Sequence, residues 1–121
     1  MRKREECMAP PTVLVVEDDG ATGEFYTELL DLNGYQAHVA TTGRDALAAV
    51  AQRALQAVLL DRRLPDIDGL QLCRLLRAAI GPNVPIILLT ADYSAELMDA
   101  AGAAGANDFL RKPVEPSVLL G

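Results

Sequence analysis

The sequence predicts a single-domain α/β protein, in which a parallel β-sheet is covered on both faces by helices. Three observations lead to this prediction. Short apolar runs alternate along the chain with segments of helical periodicity, the pattern of strands joined by helical crossovers. The 121 residues, half of them hydrophobic, suit one domain with a substantial core. Two of the apolar runs end in acidic residues, so we expect a functional site where the strands end.

The predicted strands are short β-branched or leucine-rich runs bounded by Gly, Pro, Asn or Asp residues. They span residues 12–17, 35–40, 57–61, 85–90 and 108–111. The first run leads into Glu17-Asp18-Asp19, and the third ends at Asp61. Because parallel strands end at one edge of a sheet, these carboxylates should converge there and form a pocket for a divalent metal. Thr90 ends the fourth run, and Lys112 follows the fifth, so both side chains can join that edge. Acids, a hydroxyl and an ammonium together suit the handling of a phosphoryl group.

The predicted helices lie between the strands and span residues 21–32, 43–54, 69–79 and 94–103. The first should end before Asn33-Gly34, a C-cap and turn signal, and the second should begin after Thr42 as its N-cap. The apolar faces follow helical spacing. We expect them to consist of Phe25, Leu29 and Leu32 in the first helix, Leu47, Val50, Ala51 and Ala54 in the second, and Leu72, Leu75 and Leu76, with Cys73 beside them, in the third.

Composition and charge exclude several classes of function. Seventeen acidic residues against eleven basic ones give a net charge of -6, which argues against a broad surface for nucleic acid or anionic membrane on this domain. The charged N-terminal segment lacks a secretory signal, and no run of residues could span a bilayer, so we expect a cytoplasmic location. Cys7 and Cys73 lie far apart without metal-binding spacing and should be free thiols.

Four blocks of the sequence, taken together, resemble the receiver domain of two-component response regulators. They are Val15-Val16-Glu17-Asp18-Asp19, the segment 59–70 with Asp61 and Leu64-Pro65-Asp66-Ile67-Asp68-Gly69, the segment 85–91 ending in Thr90-Ala91, and the segment 105–113 ending in Lys112-Pro113. The resemblance covers the chain from about Thr12 to its end. It implies a flavodoxin-like three-layer sandwich with a five-stranded parallel sheet in the order 2-1-3-4-5. Residues 1–11 would then be a flexible tail, and 12–121 the receiver domain with an incomplete final helix.

The resemblance also implies a role for each acidic residue of the site. Asp61 would be the phosphoacceptor, because a carboxylate held at a strand end can attack phosphorus. Asp18 would bind Mg²⁺ or Mn²⁺ directly and Glu17 through a water molecule, while Arg63 would contribute its backbone carbonyl. Asp19 is expected to start the following helix. The plainer alternative for Asp61 is an ordinary loop or N-cap acid.

Further residues would contact the phosphoryl oxygens, namely the Thr90 hydroxyl, the Ala91 N–H and the Lys112 ammonium. The resemblance places a cis peptide bond before Pro113. A plainer interpretation makes Thr90 a helix cap and Lys112 a surface lysine.

Two further expectations concern the switch and the lifetime of the phosphorylated state. On phosphorylation Thr90 would be drawn inward, and Phe109, where many receivers have tyrosine, would swing into the space behind it. Alternatively, Phe109 is a plain core residue. Arg63 and Asp92 could pair across the entrance and hinder the hydrolytic water, or both could be solvated loop charges.

These residues favour a phosphoacceptor switch, but two other functions stay open. One is a Mg²⁺-dependent phosphohydrolase of the haloacid-dehalogenase type, which normally has a second acid at the position that Arg63 occupies. The other is a pseudo-receiver that only binds partners. For a receiver, the expected partners are a histidine kinase or phosphotransfer protein and a C-terminal output domain, with DNA binding and regulation of transcription as the expected output. The resemblance also allows a phosphorylation-dependent dimer, although the helix at 94–103 contains Glu96 and Asp99 and no basic residue.

Overall fold

The computed structural model describes residues 10–91 and 94–111, with the side chain of Arg111 left aside. Five strands and four helices alternate along this part of the chain. The strands are β1 (Thr12–Val16), β2 (Gln36–Ala40), β3 (Ala57–Asp61), β4 (Ile86–Thr90) and β5 (Asp108–Arg111). The helices are α1 (Gly20–Leu32), α2 (Gly43–Gln52), α3 (Gly69–Ile80) and α4 (Ala95–Ala104). Each strand and helix lies within one or two residues of its predicted bounds.

All five strands are parallel, in the order β2-β1-β3-β4-β5, and the predicted fold class is confirmed. Side chains of the three central strands alternate between two cores, as the period of two requires. Leu14, Leu60 and Leu88 pack against α2, α3 and α4 on one face, whereas Val15 and Leu89 pack with α1 on the other. The central strands are therefore buried on both faces, which explains why they read as continuous apolar runs.

Two predicted helix boundaries are confirmed in detail. Asn33 is the C-cap of α1, and Gly34 follows with a φ of 87°, a left-handed conformation that glycine adopts without strain. Thr42 is the N-cap of α2, and its side chain accepts a hydrogen bond from the Asp45 N–H. The end of α1 and the start of α2 thus follow from local sequence.

The predicted inward faces of the helices are partly wrong. In α1, Tyr26 and Leu30 are buried, whereas Phe25 is 44% exposed and Leu32 is 83% exposed. In α3, Leu72, Cys73 and Leu76 are buried as expected, but Leu75 is 43% exposed. In α2, the helix ends at Gln52, Ala51 and Ala54 are exposed, and the buried residues are Gly43, Ala46 and Ala49. Helical spacing alone does not fix which apolar residues of these helices face the core, because packing against the sheet selects them.

None of the helices within the described residues is both long and apolar enough to cross a membrane.

Cys73 is a buried free cysteine, as predicted, and burial raises the pKa of its thiol. Several predictions fall outside the described residues. They concern residues 1–9 of the predicted tail over 1–11, Cys7, Asp92, Lys112, Pro113 and the incomplete final helix.

Candidate metal centre at the carboxyl edge of the sheet

Three carboxylates meet where β1 and β3 end. One oxygen from each of Glu17, Asp18 and Asp61 lies within 4.8 Å of the other two. The parallel register that pairs Val16 with Leu60 accounts for this, since it brings Glu17, which follows β1, beside Asp61, which ends β3. Glu17 and Asp61 are 2% and 7% exposed, whereas Asp18 is exposed. The predicted convergence of these acids is therefore present in the structure.

The acidic cluster of Glu17, Asp18 and Asp61 can hold a metal ion. Carboxylates this close repel one another, and the burial of two of them removes part of the hydration that would offset the repulsion. A divalent cation among them would replace this repulsion with attraction. The ligand set consists of oxygen atoms, which hard cations such as Mg²⁺ prefer over softer metals.

Backbone groups orient the two buried carboxylates. The Asp19 N–H donates to Glu17 Oε2 at 3.2 Å, and the Arg63 N–H donates to Asp61 Oδ1 at 3.4 Å, a long hydrogen bond. Asp19 itself is the N-cap of α1, where its carboxylate accepts from the Thr22 N–H at 2.9 Å. This confirms the prediction that Asp19 begins the helix.

The segment that follows Asp61, residues 62–68, forms a tight loop that we call the β3–α3 loop. The Gly69 N–H donates to the Arg62 carbonyl at 2.7 Å, and Arg63 forms an antiparallel bridge with Asp68. Gly69 allows this approach, because a Cβ there would lie 2.5 Å from Arg62 Cα. The Arg63 backbone is therefore held directly behind Asp61, while its side chain is exposed.

Thr90 ends β4 next to the acidic cluster, because β4 pairs with β3 through Asp61 and Leu89. It is 5% exposed. Behind it lies an apolar space too small for a water molecule, lined by Leu88, Leu97, Met98, Ala101 and Phe109. The structure thus brings Thr90 and the half-buried Phe109 together.

The remaining predicted site residues are Ala91 and Lys112, which follow β4 and β5. Ala91 follows Thr90 directly and is exposed. The described part of β5 ends at Arg111, whose backbone pairs with Thr90. Lys112 comes next in the chain, but it lies outside the described residues, and its predicted role stays a prediction.

The sequence does not predict a role for Asp66, although this residue belongs to one of the four motif blocks. Its carboxylate accepts hydrogen bonds from the Gly43 N–H at 2.9 Å and the Arg44 N–H at 3.1 Å. The Gly43 hydrogen bond is the main reason that the pKa of Asp66 lies below its ordinary value. Its place in the turn between Pro65 and Asp68 indicates that its carboxylate accepts backbone hydrogen bonds. The donors could not be named from the sequence, because they lie more than twenty residues away.

Comparisons with known proteins agree with this geometry. A family model described as the response regulator receiver domain matches residues 13–121. The response regulator MprA of Mycolicibacterium vanbaalenii is 42% identical over 92% of this chain, which spans 48% of that relative. The chain thus spans about half the length of the curated relatives it matches.

Solved structures show the same architecture. The chemotaxis protein CheY4 of Vibrio cholerae superposes with a TM-score of 0.86 at 29% identity, covering 93% of this chain and 94% of that one. The receiver domain of the sensor histidine kinase PA1611 of Pseudomonas aeruginosa, solved with a magnesium ion in its active-site cleft, has a TM-score of 0.83 at 33% identity and covers 93% of both chains. With the family model matching nearly the whole chain, this protein belongs to the response regulator receiver domain family.

Proposed function

We propose that this domain accepts a phosphoryl group on Asp61 from a histidine kinase or phosphotransfer protein, in a reaction that requires Mg²⁺, and thereby switches conformation. The observation that carries the proposal is the acidic cluster, in which the buried Asp61 carboxylate stands with Glu17 and Asp18 at the edge of the sheet. Thr90 ends the neighbouring strand. Receiver domains act as phosphoacceptor switches, and these residues supply the groups that such a reaction needs.

In the proposed reaction an oxygen of Asp61 attacks phosphorus while the bond to the donor's imidazole nitrogen breaks, and the electron pair leaves with the imidazole. The product is an acyl phosphate. Asp18 and Asp61 would bind the ion directly, Glu17 would bind it through water, and Arg63 would use its backbone carbonyl. Mg²⁺ bound there would neutralise charge on the transferred oxygens. The magnesium ion in the related PA1611 receiver domain supports the choice of metal.

The product phosphoryl group would be held by donors from β4 and β5. The Thr90 hydroxyl and the Ala91 N–H would each donate to one oxygen, and Lys112 would neutralise a third. Drawing Thr90 toward the phosphoryl group would enlarge the apolar space behind it, and the Phe109 ring would move further into that space. Phenylalanine carries no hydroxyl, so this movement would be a packing change alone.

The proposed role places the domain within a larger signalling protein. The mycobacterial relatives are named response regulators and are about twice as long as this chain, which supports an output domain that regulates transcription. The net charge of -6 argues against direct nucleic-acid binding by the receiver domain itself. We expect it to work in the cytoplasm, without turnover of external substrates, and to dimerise, if at all, in response to phosphorylation.

Incubation with acetyl phosphate and Mg²⁺, followed by intact-mass measurement over time, tests the proposal. A slowly decaying adduct of one phosphoryl group, absent from the Asp61→Asn variant, is the expected result. Continuous release of phosphate from many substrates would instead indicate a phosphohydrolase. An unmodified protein at saturating Mg²⁺ would indicate a domain that only binds partners.

A further inference from the structure

We propose that Asp66 is a positioning residue that controls Mg²⁺ affinity at the acidic cluster by fastening the β3–α3 loop to the start of α2. This inference rests on the proposed function, because it concerns the metal site used for phosphorylation. We call the contact between Asp66, Ile67 and the first residues of α2 the α2 latch. Asp66 would touch neither metal nor phosphorus, and would act through the backbone of the loop.

The polar half of the α2 latch is a two-oxygen contact. Asp66 Oδ1 accepts from the Gly43 N–H at 2.9 Å, and Oδ2 accepts from the Arg44 N–H at 3.1 Å. Both donors belong to the first turn of α2, where backbone N–H groups have no partner within the helix. A carboxylate at this end also interacts favourably with the helix dipole, and hydrogen bonds to a charged acceptor are stronger than neutral ones.

The apolar half depends on Gly43. A Cβ at this position would overlap the Cγ2 methyl of Ile67. Ile67 is itself partly buried against the core on the face of α2 and α3. Since Asp66 and Ile67 are adjacent, the tip of the loop is fixed to α2 by one polar and one apolar contact.

The latch can influence the metal because the β3–α3 loop is short and closed at its base. The Arg62 N–H donates to the Leu89 carbonyl at 3.2 Å, and the Gly69 N–H donates to the Arg62 carbonyl at 2.7 Å. The bridge between Arg63 and Asp68 joins the two sides of the loop just above that base. Movement of the tip would therefore pass to the Arg63 carbonyl, and Mg²⁺ tolerates little departure from octahedral geometry.

Two facts separate this role from that of a ligand. Among the residues that the structure describes, the carboxylates close enough to share a metal ion are those of Glu17, Asp18 and Asp61, so Asp66 is not in the group. Hydrogen bonding by the Gly43 N–H lowers the pKa of Asp66, so its carboxylate stays ionised at neutral pH and keeps both acceptor oxygens.

The test compares Asp66→Ala with Thr42→Ala in the whole 121-residue chain. Thr42 is the matched control, because its hydroxyl caps the same end of α2 by accepting from the Asp45 N–H at 3.1 Å, a hydrogen bond that lies within the start of the helix itself. Both variants should lower the melting temperature measured without metal. Asp66→Ala alone should weaken Mg²⁺ binding, by about tenfold, as loss of an orienting partner behind a metal ligand does. The Mg²⁺ dissociation constant is read from amide chemical shifts.

A kinetic measurement provides a second readout. Phosphorylation of Asp66→Ala by acetyl phosphate should be slow at low Mg²⁺ and should approach the wild-type rate when Mg²⁺ saturates. Asp66→Asn keeps one acceptor oxygen, so its phosphorylation rate at low Mg²⁺ should lie between those of wild type and Asp66→Ala. If the alanine variant does not fold, the asparagine variant replaces it in the test. The proposed role of the α2 latch would be overturned if Asp66→Asn bound Mg²⁺ as tightly as wild type. It would also be overturned if Thr42→Ala and Asp66→Ala lost the same Mg²⁺ affinity. Failure of the wild type to bind Mg²⁺ would instead overturn the proposed function.

Discussion

At the scale of single residues, the site and the scaffold use charged side chains differently. Glu17 and Asp61 are buried carboxylates held close to a third acid, an arrangement that costs free energy until a cation is bound. Arg77, by contrast, is a half-buried cation whose guanidinium is surrounded by acceptors. Its charge is used within the fold, at the opposite edge of the sheet from the acidic cluster.

Arg77 joins three segments of chain near the start of β4 and β5. It donates to the carbonyls of Gly81 and Val84, twice to that of Gly105, and to Asn107 Oδ1, at distances of 2.5 to 3.0 Å. Asn107 Oδ1 in turn accepts from the Ile86 N–H at 2.8 Å, which ties the loop to β4. The guanidinium therefore organises two loops at once, which a compact ammonium cannot do.

We predict that Arg77→Ala lowers the free energy of unfolding by about 2 to 4 kcal/mol, because several partly buried carbonyls lose their donor. Urea denaturation followed by circular dichroism measures the change. Arg77→Lys should recover less than half of the loss, because lysine has fewer donors and no planar fork. Full recovery in the lysine variant would show that charge alone matters at this position.

At the scale of secondary-structure elements, the junction from β3 through the β3–α3 loop to α3 positions the acceptor. Asp61 is the last residue of β3, and α3 begins only eight residues later at Gly69. Asp68 caps that helix by accepting from the Leu70 N–H at 2.9 Å. Backbone contact is close here, since a Cβ on Gly69 would lie 2.6 Å from the Arg62 carbonyl oxygen and 2.8 Å from that of Asp61.

We predict that Gly69→Ala destabilises the protein by about 2 to 3 kcal/mol and slows phosphorylation, because the clash is with backbone that cannot move without displacing Asp61. Gly102→Ala in α4 is the control. A Cβ there meets nothing within 4 Å, and alanine favours helix, so this variant should be more stable than wild type by about 0.5 to 1 kcal/mol. Unfolding curves and acetyl phosphate kinetics of the two variants provide the comparison, and a Gly69→Ala protein as active as wild type would contradict the expectation.

At the scale of the whole molecule, metal binding and folding should be coupled. The acidic cluster exists only when β1 and β3 are paired, so an unfolded chain offers no comparable site. A cation that binds the folded state alone stabilises it by mass action. The same reasoning makes the metal-free protein the less stable form.

We predict that Mg²⁺ at ten times its dissociation constant stabilises the fold by about 1.4 kcal/mol, seen as a higher melting temperature than in a chelator. Asp18→Ala should lose this response, because it removes a proposed ligand. Its melting temperature without metal should equal or exceed that of wild type, since one repulsive charge is gone. A wild-type transition indifferent to Mg²⁺ would count against the site.

Much of this architecture could be predicted from the sequence because its signals are local. The apolar runs and the caps at Thr42 and Asn33 each depend on a few neighbouring residues. The structure has strands at those runs and helix ends at those caps. The meeting of Glu17 and Asp18 with Asp61 also followed, since parallel strands must end at a common edge. The four blocks in order were enough to indicate the family.

Only the tertiary structure decided which apolar arc of each helix is buried and which distant groups hold the loops. Helical spacing allowed Phe25 and Leu75 to face inward, but the angle at which a helix meets the sheet depends on all of its neighbours, and both side chains are exposed. The bonds from Asp66 to α2 and from Arg77 to Gly105 join residues 22 to 28 positions apart. Sequence periodicity describes angles within one element, whereas such contacts depend on how separate elements pack in space.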